Sequence, residues 1–287
     1  MAKHQCNHLD PHQQALVKLI EQCARRYRRH EVFRDFCELA ALSLSNRVDL
    51  VQYDAREARY LEIVKRYERE EVECFPRMLA FLVESLEGGH KDALGQIFEA
   101  LQLADHWKGQ FFTPFEVSRL MAKILMSGAP AEIERNGFLS LMEPAAGAGG
   151  MVIAAASALL DDGINYQQTM HATLIDIDAT ACHMAYVQLS LLHVPAIVIH
   201  GNALAPDTVW GHWVTPAHVM GLWDMRLRRR DREEAKREAA DQEEGAAQTV
   251  SATAPTAATA SDPLAQHRAA IVTRRIAQSE QLDLFGT

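Results

Sequence analysis

The feature that most constrains this chain is a glycine-rich turn set between a short apolar run and an apolar helical segment. Phe138 to Met142 is the run, Glu143-Pro144-Ala145-Ala146-Gly147-Ala148-Gly149-Gly150 is the turn, and Met151 to Leu160 reads as helix. Glycines in such a place let the backbone turn tightly and approach a ligand closely. No Gly-Lys-Ser/Thr follows, so the turn does not read as a triphosphate cradle. An acid at the strand end, Glu143, suits a cationic ligand instead. Taken alone, the turn could equally be a plain strand-to-helix connection.

The residues that follow extend the pattern. Ala172 to Ile177 reads as a buried strand, Ala179 to Leu192 as a helix and Ile197 to His200 as another strand. Strand, glycine turn, helix, strand, helix, strand is the order of a parallel α/β sheet. The second strand ends in Asp176-Ile177-Asp178. A carboxylate there can accept both hydroxyls of a ribose, as in dinucleotide sites. Asp176 is assigned that role and Asp178 the N-cap of the next helix. Asn202, after the third strand, is placed to hydrogen-bond an adenine edge, with an ordinary turn asparagine as the alternative.

Ahead of the sheet, residues 11 to 105 read as helix after helix. Leu16, Leu19, Ile20 and Cys23 repeat at helical spacing, as do Val32, Phe33, Phe36, Cys37 and Ala40. A charged helix is expected around Ala55 to Arg69. Another should hold Pro76 in its first turn and stop at Gly88-Gly89, and the last should cover Asp92 to Leu103. These stripes are core positions of an all-α region. Beyond Trp223, Arg226 to Glu244 alternates in charge and reads as a solvated helix. Gly245 to Asp262 is Ala, Thr and Ser with little else and reads as a flexible linker, with a short helical piece expected at Leu264 to Gln278.

Composition excludes some functions. The net charge of −9 rules out a chain that coats nucleic acid by bulk charge, so any DNA contact must use a local basic patch, such as the Arg226, Arg228, Arg229 and Arg230 cluster. Cys6, Cys23, Cys37, Cys74 and Cys182 show no paired spacing and read as reduced, packed thiols. His4, Cys6, His8 and His12 lie close together but lack a second pair at zinc-site spacing, and no metal is expected. No apolar run suggests a membrane span and Met1-Ala2-Lys3-His4 lacks a signal-peptide core, so a cytoplasmic location is expected.

Five segments occur in order: Asp92-Ala-Leu-Gly-Gln-Ile-Phe98, Gly109-Gln-Phe-Phe-Thr-Pro114, Glu143 to Gly150, Asp176-Ile-Asp178 and Gly201-Asn-Ala-Leu204. Together they resemble the adenine-specific (N6) DNA methyltransferases, and in particular the modification subunit of type I restriction systems, over about residues 90 to 205. The resemblance implies a Rossmann-like core that binds S-adenosyl-L-methionine, spanning 106–224 and short of strands. A helical region at 1–105 would precede it, and a charged helix at 225–244 and a flexible tail at 245–287 would follow. It implies a cofactor site made of Phe112, Thr113 and Pro114, which close over the cofactor, with Glu143, Pro144, Ala145, Gly147, Gly149, Asp176 and Asn202. DNA is the implied partner and methyl transfer to adenine N6 the implied reaction. A DNA- or clamp-binding module without catalysis is the alternative, and methylation of RNA or a small molecule a third.

In one respect the sequence departs from that family. Its catalytic Asn/Asp-Pro-Pro-Tyr/Phe motif, at the end of the fourth strand, has no counterpart, since no Pro-Pro occurs anywhere. The segment at the expected place is Val214-Thr215-Pro216-Ala217-His218, where Thr215 offers an oxygen, His218 a flat ring and Pro216 a rigid turn. These three are the catalytic candidates. A sheet ending so early leaves an edge to be covered by the N-terminal helices or by another subunit. Finally, Gln281-Leu282-Asp283-Leu284-Phe285 resembles the pentapeptide by which bacterial DNA-processing proteins dock on the sliding clamp.

Overall fold

The computed structural model describes residues 8–101, 112–205 and 207–249. The Phe111 end of the Gln-Phe-Phe-Thr-Pro segment, the linker from 250 onward and the Gln281 to Phe285 peptide lie outside these residues, as do His4 and Cys6.

The first part is helical: α1 (Pro11–Cys23), α2 (Arg29–Ser45), α3 (Tyr53–Val64), α4 (Arg69–Val72), α5 (Cys74–Glu87) and α6 (Ala93–Ala100). The Asp10 carboxylate caps α1 by accepting from the amides of His12 and Gln13, and Gln13 returns a side-chain acceptor to the Asp10 amide. The apolar stripes meet as expected, with Leu16, Ile20, Phe33, Phe36, Met78 and Leu82 all buried. The expected charged helix is broken in two, α3 ending at Val64 and α4 starting at Arg69.

Next come α7 (Phe115–Leu125) and α8 (Ala129–Asn136), the latter stopped by Gly137 in the left-handed region at φ 77°. Then follow β1 (Leu139–Glu143), α9 (Gly150–Asp161), α10 (Tyr166–Thr169), β2 (Met170–Asp176), α11 (Ala179–Leu191) and β3 (Ala196–Gly201). The chain continues through β4 (Val209–Val214), α12 (Pro216–Met220) and α13 (Trp223–Thr249). The last helix runs past the expected boundary at Glu244, into residues whose alanines favour helix.

The four strands form one sheet in the order β1-β2-β3-β4. β1, β2 and β3 are parallel, with Glu143 opposite Leu174 and Asp176 opposite His200. β4, which the residue pattern did not mark as a strand, runs antiparallel to β3, with Val209 beside Gly201 and Val214 beside Ile197. Only residues 202–208 connect the two, too few for the dozen or more that a parallel crossover needs.

One contiguous buried cluster joins the helical part to the sheet, running from Leu9 through Phe98 and Leu189 to Trp213. The helical part also covers the β4 edge. The guanidinium of Arg56 lies 4.3 Å from the centre of the Trp213 ring and donates to the carbonyl of His212 at 2.8 Å. Of the two sheet edges, the N-terminal helices therefore cover β4, while β1 forms the other end of the sheet. On the same side as β1, α7 shows water an apolar stripe made of Val117, Leu120, Met121, Ile124 and Leu125.

Candidate cofactor site

Parallel strands direct their carboxyl ends to one edge of a sheet, and ligands bind in the crevice there. At this edge β1 ends in Glu143 and β2 in Asp176. Backbone bonds fix the turn between β1 and α9: the Ala146 amide donates to the carbonyl of Ile175 at 2.9 Å and the Gly149 amide to that of Ala146 at 2.8 Å. Gly147 and Gly149 hold φ of 52° and 88°, a region open to glycine and costly for other residues. A Cβ on Gly147 would stand 3.0 Å from the Phe112 ring, and one on Gly149 3.3 Å from the Cβ of Ala185. The glycines are thus required both by the turn and by the side chains lying on it.

Asp176 holds the turn from the neighbouring strand. One carboxylate oxygen accepts from the Gly147 amide and the other from the Asp178 amide, both at 2.8 Å. Asp178 caps α11 by accepting from the Thr180 amide at 2.7 Å. Behind the turn lies a buried network that the sequence reading did not assign. Gln188, on α11, donates to Asp92 and to the carbonyl of Ala148, each at 2.8 Å, and accepts from the Leu94 amide at 2.9 Å. Asp92 also caps α6 through the Gly95 amide at 2.8 Å. This joins the helical part to the glycine turn through one side chain.

The space in front of the turn is a cavity of about 350 Å³. Phe112, Thr113, Glu143, Ala145 and Gly147 line it, together with Asp92, Ser118, Met121 and Met151, which the sequence reading did not place there. Only Asp92 carried an earlier signal, as the first residue of one of the ordered segments. Phe112 packs over Gly147 and against Phe98, with ring centres 4.9 Å apart. Pro114 precedes α7 and accepts from the amides of Val117 and Ser118.

The electrostatics favour a cation. Among the described residues the cavity is lined by two carboxylates, Asp92 and Glu143, and by no lysine or arginine. Burial pushes the carboxyls of Asp92 and Glu143 above their ordinary range, and the nearby Asp176 charge adds to the effect on Glu143. Burial raises Asp176 as well. The Ser118 hydroxyl is buried in the cavity wall without a hydrogen-bond partner. S-adenosylmethionine, with its ammonium and sulfonium charges, fits this donor set: Glu143 and Asp92 would hold the positive end, and Phe112 would cover it.

Further along the same edge, Asn202 accepts from the Leu204 amide at 3.0 Å, forming a local turn, and it does not line the cavity. Around it Ile177, Leu204 and Trp210 are exposed. His200 connects two of these, contacting the carbonyl of Ile177 at 3.2 Å and the Trp210 ring at 4.9 Å.

The catalytic candidates stand elsewhere, and this corrects the sequence expectation. Because β4 is antiparallel, its carboxyl end lies at the amino edge of the parallel strands, opposite the cavity. Thr215 is fully buried there, its hydroxyl donating to the carbonyl of Val194 at 2.8 Å and accepting from the Ala196 amide at 2.9 Å. Pro216 occupies the first turn of α12, and the buried His218 ring contacts His171, at the start of β2, at 2.9 Å and Asp224 at 3.1 Å. A sheet strand of five residues spans about 17 Å, so Thr215, Pro216 and His218 cannot reach a group bound at Glu143. Thr215 caps α12 and ties it to the start of β3.

The fold and this turn define an α/β domain with a glycine-rich turn and two strand-end carboxylates at the carboxyl edge of its parallel strands. Residues 89–219 match the family model of N-6 DNA methylases. No curated protein matches the chain. Among solved structures the chain is similar to a class I S-adenosylmethionine-dependent methyltransferase from Listeria monocytogenes, at 15% identity and a TM-score of 0.38, covering 68% of this chain and 54% of that one. It is also similar to the methyltransferase subunit of a type I restriction-modification system from Streptococcus thermophilus, at 18% identity and a TM-score of 0.35. That overlap covers 69% of this chain and 40% of the other, so the chain spans about half the length of these structures or less.

Proposed function

We propose that this protein binds S-adenosylmethionine in the cavity before the Glu143 to Gly150 turn and serves methyl transfer to adenine N6 in DNA. The observation that carries the reading is the pair of carboxylates, buried Asp92 and half-buried Glu143, lining a cavity beside Phe112 that has no arginine or lysine among its described residues. Bound there, the cofactor supplies an electrophilic methyl group. The chain's part is to orient it and keep water away: Glu143 and Asp92 through charge, and the glycine turn, held by Asp176, through close backbone approach. An amine attacking such a methyl needs alignment rather than a covalent intermediate, so positioning contributes most of the rate.

A second reading is favoured by one observation, the placement of Thr215 to His218 at the far edge of the sheet. In it the chain binds cofactor and DNA without transferring the methyl group itself. Incubation with methyl-labelled S-adenosylmethionine and single- or double-stranded DNA distinguishes the two. Label on adenine N6 supports the first reading; cofactor binding without label on any DNA overturns it in favour of the second.

The reading places the protein in the cytoplasm, with its DNA. Its described cysteines, Cys23, Cys37, Cys74 and Cys182, are free and buried, and no helix among the described residues is long and apolar enough to cross a membrane. For Gln281 to Phe285 the proposed partner is the bacterial sliding clamp. Deleting 281–287 should abolish capture of the chain by immobilised clamp, and undiminished capture would remove that partner.

A further inference from the structure

At the amino edge of the sheet, away from the cofactor cavity, a second cavity of about 370 Å³ lies between the end of α8 and the first turns of α13. Arg226, Arg229, Arg230, Glu233, Glu234 and Arg237 face it from α13, and Arg135 faces it from α8. The α13 positions recur at helical spacing on one side of the helix, over about 16 Å of its length.

The charges there do not cancel. Arg229 pairs with Glu233 at 2.8 Å and Arg230 with Glu234 at 3.3 Å, which accounts for both acids. Arg135 and Arg237 have no carboxylate partner among the described residues. The Arg226 guanidinium sits over Trp223, 3.6 Å from the ring centre, and donates to the carbonyl of Gln168 at 2.8 Å. A stacked guanidinium keeps its remaining N–H groups in a fixed plane, open to an anion. Arg135 also complements the carboxyl end of α8, but Arg226 and Arg237 have no such role. Among the described residues, three guanidiniums with no ion-pair partner therefore converge on one cleft of a chain whose net charge is −9.

We infer that this cleft is a phosphate-binding site, with Arg135, Arg226 and Arg237 as the groups that bind. The planar fork of arginine suits phosphate oxygens, and a row about 16 Å long matches several phosphates in sequence better than a single ion. The ligand chemistry is a run of phosphates, supplied by a nucleic-acid backbone or by a free polyphosphate. The site is separate from the cofactor cavity and does not depend on methyl transfer.

The test is fluorescence anisotropy of the full chain with a labelled 20-mer, single-stranded and duplex, and separately competition by inorganic tripolyphosphate. The variants are Arg135→Glu/Arg237→Glu and the milder Arg135→Gln/Arg237→Gln, both exposed positions. S-adenosylmethionine titration of each variant reports that the fold is intact. We expect DNA binding to weaken about tenfold in either variant with cofactor binding unchanged, and the salt slope for duplex to fall by about 2. Binding of tripolyphosphate but not DNA, lost in the same variants, supports the site and identifies a free polyphosphate as its ligand. Wild-type affinity and slope in both variants, or no binding of either ligand by the wild-type chain, would overturn the inference.

Discussion

The amide of Gly147 donates to the carboxylate of Asp176 at 2.8 Å, so the end of one strand fixes the turn that leaves its neighbour. The Asp178 amide occupies the other oxygen of the same carboxylate. The acid assigned to a ribose thus has a prior structural task. Asp176→Ala removes both acceptors and should lower unfolding stability by about 2 kcal/mol, while Asp176→Asn, which keeps one, should lose less. Urea denaturation read by circular dichroism checks the order.

Gly147 tests the turn from the other side. Gly147→Ala combines a left-handed φ, worth about 1–2 kcal/mol, with a methyl group 3.0 Å from the Phe112 ring. Phe112 must move, and affinity for S-adenosylmethionine should fall about tenfold, a loss of about 1.4 kcal/mol. Because the two residues touch, Phe112→Ala combined with Gly147→Ala should lose less than the sum of the single changes. Additive losses in a double-mutant cycle would show that Phe112 does not lie on the turn.

Thr215 decides whether the amino edge of the sheet has any catalytic share. Thr215→Ala breaks buried bonds to Val194 and Ala196 and removes the cap of α12, and should cost about 2 kcal/mol of stability. At a temperature where the variant is folded, its cofactor affinity and any methyl transfer should match the wild type. A large fall in transfer rate by the folded variant would reinstate it as a catalytic residue.

Glu143 gives a pH dependence with a definite sign. Burial holds its folded-state pKa above the unfolded value, so the native state takes up the proton more readily. Its ionised form then opposes folding, and the opposition grows as pH rises from about 4.3, the unfolded value, through the folded one. Glu143→Gln should raise the melting temperature at pH 7 relative to wild type, and the difference should vanish near pH 4. A variant less stable than wild type at pH 7 would contradict this.

Much of this arrangement was legible in the sequence. β1, β2 and β3 showed as apolar runs ending in an acid or a glycine, because strands covered on both faces need continuous apolar residues. Asp178 could be read as a cap because it directly precedes an apolar helical segment. β4 was hidden because Val209-Trp-Gly-His-Trp-Val214 mixes glycine and histidine with its apolar residues. Its direction was nonetheless implicit in the short return from Gly201, and that direction removes Thr215 and His218 from the site. Asp92, Gln188 and Ser118 were not legible as one constellation. They come from three separate helical regions, and only the shared core brings them to the turn.

The central claim is that the Glu143 to Gly150 turn and its carboxylates form an S-adenosylmethionine site. Calorimetric titration of the full chain with the cofactor tests it most directly, with Glu143→Gln measured in parallel. Saturable one-to-one binding by the wild type, at least about tenfold weaker in the variant, is the predicted result. No binding by the wild type, or equal affinity in a folded Glu143→Gln, would contradict it.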